Sequence, residues 1–213
     1  MDTLFSPSGA GALWLLAVSA LAYLIGSVPT GAIVARAHRD VDLTRVGSER
    51  TGATNAARAL GIKAGVVVLI GDFAKGALAV AAAVALTDSP WGVALAGLFS
   101  VVGHNRSLFL RGRGGRGVAT GLGGLAVAST GLFILAALTG CVVAAITRYI
   151  SLGSISGCAM AIVAGIVAFS TDHLTPEVLA YVLGTAAYIV AAHKDNIWRL
   201  RAGTERKLGN RQL

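Results

Sequence analysis

Apolar runs of bilayer length, separated by short polar connections, constrain this 213-residue chain more than any other feature. A spanning helix needs about 20 largely apolar residues. The clearest runs cover 12–35, 64–86, 152–169 and 176–192. The first is expected to span rather than to act as a signal peptide, because Met1-Asp2 is no basic leader and the run is too long. Charged residues make up 13% of the chain against 55% hydrophobic ones, which excludes a disordered chain and argues against a cytosolic globular enzyme. Cys141 and Cys158 each sit inside an apolar run, so neither a disulfide framework nor a metal motif is expected. The predicted class is an all-α polytopic membrane protein, with one membrane domain covering 1–213.

Two stretches need charge to interpret them. Residues 91–103 offer about 20 Å of helix, and 117–147 are too long for one crossing and cramped for two. Of the 18 Lys and Arg residues, 17 fall in four places: 36–63, 106–116, Arg148 and 194–211. The other connections carry Asp2, Asp88, Asp172 and Glu177 without a Lys or Arg. Basic connections stay cytoplasmic. Arg116 and Arg148 share a side only if the stretch between them crosses twice, turning near Ser129-Thr130-Gly131. The same rule makes 91–103 a short crossing. Seven transmembrane helices follow, N-terminus outside and C-terminus cytoplasmic. Much of the +8 net charge then serves orientation and contact with anionic membrane lipids.

Some polar residues are not explained by the bilayer. Gly112-Arg113-Gly114-Gly115-Arg116-Gly117 opens a predicted helix, with Thr120 one turn further. Such glycines let backbone N–H groups turn toward one anion, and a helix start adds its positive end. Arg113 and Arg116 add bidentate phosphate contacts. The string follows no strand and lacks the G-x-x-x-x-G-K-[ST] frame, so a nucleotide loop is not indicated. A flexible basic turn is the alternative. A second loop, Gly47-Ser48-Glu49-Arg50-Thr51-Gly52-Ala53-Thr54-Asn55, flanked by Arg45 and Arg58, suits a phosphate or polyol, or else a polar turn with a helix cap at Thr54. Pro29, in Gly26-Ser27-Val28-Pro29-Thr30-Gly31, breaks the first helix, as a packing kink or as a site wall. Asp72 and Lys75 share one helix face and read as an intramembrane ion pair. His104 and His193 end helices at the inner rim, as anchors or as a base near pH 7. Asn196 shares the His193 face, and Arg199, Arg201 and Arg206 beyond it meet lipid headgroups. Ser151 and Ser154 add hydroxyls there, or a helix N-cap. No spacing suits a metal, no cofactor is expected, and neither a Ser-His-Asp triad nor the acidic motif of CDP-alcohol phosphotransferases can be assembled.

The special polar groups gather on one rim and favour phosphate, while the apolar bundle behind them could admit an acyl chain. In this the chain resembles the bacterial acyl-phosphate:glycerol-3-phosphate acyltransferases of the inner membrane. The matching stretches run in order from residue 23 to 205. They are Tyr23–Gly31, Gly47-Ser48 with Gly52–Asn55, Gly71-Asp72 with Lys75-Gly76, and Gly103-His104, followed by Gly114–Thr120, Ser151–Ser154, and His193 with Asn196-Ile197 through Gly203-Thr204-Glu205.

The resemblance implies acyl transfer from acyl phosphate to the 1-hydroxyl of sn-glycerol 3-phosphate, giving lysophosphatidate and inorganic phosphate on the cytosolic face, with no cofactor and no nucleic acid. By it, His193, Asn196, Arg116 and Ser151 would act at the reacting centre. Ser27, Arg45, Gly47, Ser48, Thr54, Asn55, His104, Gly114, Gly115, Gly117, Thr120 and Ser154 would line the substrates. The chain departs from the family pattern at Arg116, usually a Lys, and at Thr44, where the family has an arginine that this chain carries next door at Arg45. Glu49-Arg50-Thr51 and Asn105-Arg106 are further departures. A transporter for a phosphorylated or lipid solute is the competing class, and a non-catalytic membrane subunit a third. Transporters tend to show repeats and helices broken near the midplane, whereas the polar groups here collect at one face.

Overall fold

The computed structural model describes residues 9–39 and 41–209. Helices α1 (Gly9–Ser27), α2 (Thr30–Arg39), α3 (Ala53–Leu60), α4 (Ile62–Leu86) and α5 (Pro90–Asn105) lead to a one-turn 3-10 helix (Leu108–Leu110). Helices α6 (Val118–Ala128), α7 (Thr130–Thr147), α8 (Ile150–Ser170), α9 (Pro176–Ala192) and α10 (Lys194–Arg201) follow, and no strand occurs among the described residues. Asp2, Asp40 and Arg211 lie outside the described residues.

Five segments are long and apolar enough to cross a membrane: Gly11–His38, Ile62–Leu86, Pro90–Leu110, Thr130–Thr147 and Ile150–Ser170. The α9–α10 pair, bent by 59°, makes a sixth if it counts as one span. Helix α6 has 11 residues, about 16 Å of rise, and is too short to cross by itself. A one-residue break at Ser129, in extended conformation, separates α6 from α7.

Burial is inverted relative to a water-soluble domain. Leu13, Ile62, Leu138, Ile146 and Val163 point outward, whereas Ala35, Ala56, Val68, Ala83 and Ala96 are buried. Helices in lipid associate by close packing of small residues rather than by hiding large ones. The glycines act here: a Cβ on Gly26 would strike the Ser100 carbonyl between α1 and α5, one on Gly76 the Thr120 carbonyl between α4 and α6, and one on Gly153 the Gly140 carbonyl between α7 and α8.

The Pro29 break is sealed by α4. Lys75 Nζ donates to the Val28 carbonyl at 2.8 Å and lies 2.9 Å from Asp72 Oδ1. The Thr30 hydroxyl donates to the same carboxylate oxygen, and His104 Nδ1 lies 3.4 Å from it. Asp72 and Lys75 are therefore the buried pair read from sequence, extended to both sides of a helix break. Irregular backbone at membrane depth is tolerated when protein groups satisfy it in this way.

Candidate active site

The C-terminal ends of α1, α5 and α9 meet the N-terminal ends of α6 and α8 at one end of the bundle. There the chain after α10 folds back. The Leu208 N–H donates to the Arg148 carbonyl at 2.7 Å, and Arg148 Nη2 donates to the Leu208 carbonyl at 2.8 Å. On the other side, Arg58 Nη2 donates to the Arg206 carbonyl at 3.4 Å. Held between these ties, the Glu205 side chain is 5% exposed. Its Oε1 accepts from Asn196 Nδ2 at 2.8 Å and Ser151 Oγ at 3.1 Å, and its Oε2 accepts from Arg199 Nε at 2.8 Å. Helix α8 starts one residue before Ser151, after Tyr149, so Ser151 is not its N-cap; its hydroxyl serves Glu205 instead. Asn196 keeps a buried Oδ1 with no hydrogen-bond partner.

His193 sits at the bend between α9 and α10. Its Nδ1 is 2.8 Å from the Ile189 carbonyl, which can only accept, so Nδ1 carries the hydrogen and the neutral ring leaves Nε2 as an acceptor. Burial above all, with the Arg116 and Arg50 charges, pushes its pKa down to about 4 against the opposing Ile189 bond and Glu205. Arg116 is half-buried, and its Nε lacks an acceptor. Burial first, then Arg50 and Arg199, pull its pKa down to about 10, still fully charged at neutral pH; Glu205 and Asp195 pull the other way. The site therefore has excess positive charge at close quarters, which an anion would relieve.

The glycine loop differs from the sequence expectation in which amides are free. The Gly114 N–H donates to the Asn105 carbonyl at 3.1 Å and the Gly115 N–H to the His104 carbonyl at 3.2 Å. The phosphate contact assigned to those two amides is therefore corrected, because both are spent anchoring the loop on the end of α5. Gly115 is required there, since a Cβ would strike the His104 ring. Gly117, at φ 84°, turns the chain into α6. The N–H groups of the first turn of α6, Val118 to Thr120, have no acceptor among the described residues, so the donors shift a few residues along. Thr120 is fully buried and its hydroxyl has no partner. His104 packs behind the loop, between Gly115 and Asp72, rather than in the open site.

The second loop is organised by Asn55. This side chain accepts from the Ser48 N–H at 3.0 Å and donates to the Leu43, Val46 and Arg50 carbonyls at 3.1, 3.0 and 2.8 Å. Asn55 was expected to contact substrate; in the structure its Nδ2 is spent on loop carbonyls and its Oδ1 accepts the Ser48 N–H. Gly47, at φ 61°, lies against the Asn55 amide oxygen. Helix α3 begins at Ala53 with Gly52 before it, so Thr54 lies inside the helix and is no cap. Arg45 is exposed and pairs with Asp42 at 3.2 Å. Ser27 is fully buried and pins the turn after α5: its carbonyl accepts from Ser107 Oγ at 2.6 Å.

An apolar cavity of about 1410 Å³ opens from this end of the bundle. Gly47, Thr54, Arg58 and Arg206 line its polar end, and Leu125, Ala136, Gly157, Cys158 and Val182 its apolar depth. Ser154 borders it too, though its hydroxyl donates to the Ile150 carbonyl of its own helix at 3.0 Å. Glu205, Arg199 and Arg50 were not singled out from sequence as site residues. Glu205 carried a signal, being one of two carboxylates in the basic 194–211 segment. Arg50 carried none. Among the described residues no group of three or more His, Cys, Asp or Glu could hold a metal ion.

A family model described as glycerol-3-phosphate acyltransferase matches residues 16–203. The chain belongs to that family. Curated glycerol-3-phosphate acyltransferases from Thermus thermophilus and Moorella thermoacetica are 44% and 46% identical to it, over 94% and 93% of this chain and 96% and 100% of theirs. The crystal structure of PlsY (YgiH), an integral membrane glycerol 3-phosphate acyltransferase, in its glycerol 3-phosphate form superposes with a TM-score of 0.83 at 36% identity, covering 92% of this chain and 96% of that one. Its lysophosphatidic acid form gives 0.81 at the same identity. The structural match also identifies this acyltransferase family member as an integral membrane protein that crosses the bilayer several times.

Proposed function

We propose that the protein transfers an acyl group from acyl phosphate to the 1-hydroxyl of sn-glycerol 3-phosphate at the cytoplasmic face of a bacterial inner membrane. The observation that carries this reading is the meeting of an anion-seeking cluster, Arg116 with the first turn of α6, and an acyl-sized apolar cavity at one end of the bundle. A seven-crossing arrangement with the N-terminus outside puts every basic connection on the cytoplasmic side.

Acyl phosphate is a mixed anhydride with a good leaving group, so the barrier is mainly one of positioning two anions and stabilising charge. The chain lies in the cavity, and its phosphate end reaches the basic mouth. Arg116 and the Val118–Thr120 amides hold phosphate oxygens; Asn196 and His193 align the glycerol hydroxyl. The hydroxyl oxygen attacks the acyl carbon, the bond from that carbon to the bridging phosphate oxygen breaks, and inorganic phosphate departs. His193 accepts a hydrogen bond at Nε2, but an imidazole held near pKa 4 is a poor resting place for a proton. The proton therefore leaves on phosphate. Glu205 sets the Asn196 amide and the Ser151 hydroxyl without touching substrate.

The test is phosphate release from acyl phosphate by the purified protein in detergent, with and without glycerol 3-phosphate. Release that depends on glycerol 3-phosphate and yields lysophosphatidate supports the assignment. Movement of labelled solute across liposomes without consumption of acyl phosphate would reverse it in favour of a transporter.

A further inference from the structure

We infer that Arg50 is a substrate-binding guanidinium of this site and holds the phosphate end of the acyl donor, the part that Arg45 seemed placed to play. This rests on the acyltransferase reading above and deepens it. The Asn55 amide fixes the backbone around Arg50 by gripping its carbonyl at 2.8 Å. Glu49, at φ 55°, occupies a left-handed conformation that non-glycine residues rarely adopt. The chain reverses there, leaving Glu49 exposed and Arg50 half-buried.

From this position the Arg50 charge acts on both Arg116, at the start of α6, and His193, at the end of α9. The Arg199 charge acts on Arg116 as well. Arg199 is neutralised by Glu205. Neither Arg50 nor Arg116 has a carboxylate within ion-pair distance among the described residues. Two uncompensated guanidiniums at a partly desolvated mouth repel each other, and a dianionic phosphate between them removes that cost. Arg45 is excluded by geometry: its side chain is 81% exposed and bound to Asp42, whose Oδ1 also takes the Thr44 hydroxyl at 2.6 Å.

The loop also specifies which phosphate is held. Val46, Gly47, Ala53 and Thr54, on either side of Arg50, line the polar end of the apolar cavity. A substrate whose chain fills that cavity delivers its headgroup to this loop. The water-soluble co-substrate needs no such approach, and its hydroxyl is aligned by Asn196 and His193.

The experiment measures steady-state acyl transfer by the purified full chain with palmitoyl phosphate and glycerol 3-phosphate, for wild type, Arg50→Ala, Arg50→Lys and Arg45→Ala. Arg50→Ala is expected to raise KM for palmitoyl phosphate about tenfold or more, the worth of a charge-assisted phosphate contact, with KM for glycerol 3-phosphate nearly unchanged. Arg50→Lys is expected to recover part of that loss. An unchanged KM for palmitoyl phosphate in Arg50→Ala, a rise confined to glycerol 3-phosphate or shared equally, or greater damage from Arg45→Ala overturns the inference. So does failure of both Arg50 variants to elute as folded protein, which makes the residue structural. An inactive wild type defeats the acyltransferase reading instead, so the two failures are distinguishable.

Discussion

Arg116 and His193 show how burial changes the meaning of a side chain. Arg116 stays charged but is poorly solvated, and its Nε lacks a partner, so on the proposed reading a phosphate there would meet little competition from water. Arg116→Ala is expected to lower kcat/KM by about two to three orders of magnitude, the range for losing one preorganised charged donor, with Arg116→Lys intermediate because a point charge replaces a planar fork. Normal turnover and affinity in the alanine variant would remove Arg116 from the site. For His193 the pKa falls from 6.5 to about 4 on folding, so folding favours the neutral ring. Its contribution to stability is full above pH 6.5 and is lost as pH falls toward 4. Thermal unfolding in detergent should therefore weaken across that interval, and His193→Gln should flatten the slope. An identical pH profile in the variant would show that the ring is not held neutral.

At the scale of elements, helix breaks and ends position the chemistry. Pro29 divides the first apolar run into α1 and α2, and the buried Asp72–Lys75 pair on α4 satisfies the break. Removing one charge strands the other at membrane depth, whereas removing both leaves a neutral gap. Asp72→Asn and Lys75→Met are each expected to lower the yield of folded protein, and the double variant to recover much of it, as read by monodisperse elution in detergent. Equal losses in all three would assign the two residues independent roles. The loop between α5 and α6 follows the same logic. Its glycines looked like a phosphate nest, but two of their amides are used to dock the loop on His104 and Asn105, and the N–H groups left without acceptors among the described residues are those of the first turn of α6. Periodicity and composition identify a glycine loop; they do not say which side its amides face.

For the whole molecule, the apolar cavity links membrane and site. Cys158 lies on its wall, 9% exposed. Cys158→Phe is expected to shift preference toward shorter acyl phosphates, measured as kcat/KM for 10- and 16-carbon donors; an unchanged ratio would mean the chain lies elsewhere. What the amino-acid order determined by itself was the membrane class, the helix break at Ser129, the broken first helix, the Asp72–Lys75 pair and the family. These depend on local properties: run length, charge at each connection, a proline, two residues one turn apart, and motifs in order. The tertiary structure decided which polar groups are spent on one another and which are left without partners. Asn55 became a loop brace, Ser27 and His104 supports, and Arg45 a surface pair. Glu205 and Arg199 meet Asn196 and Ser151 because the chain after α10 folds back. A hydrogen-bonding group serves a partner or a substrate according to what lies within about 3 Å of it, and only the assembled fold sets that neighbourhood.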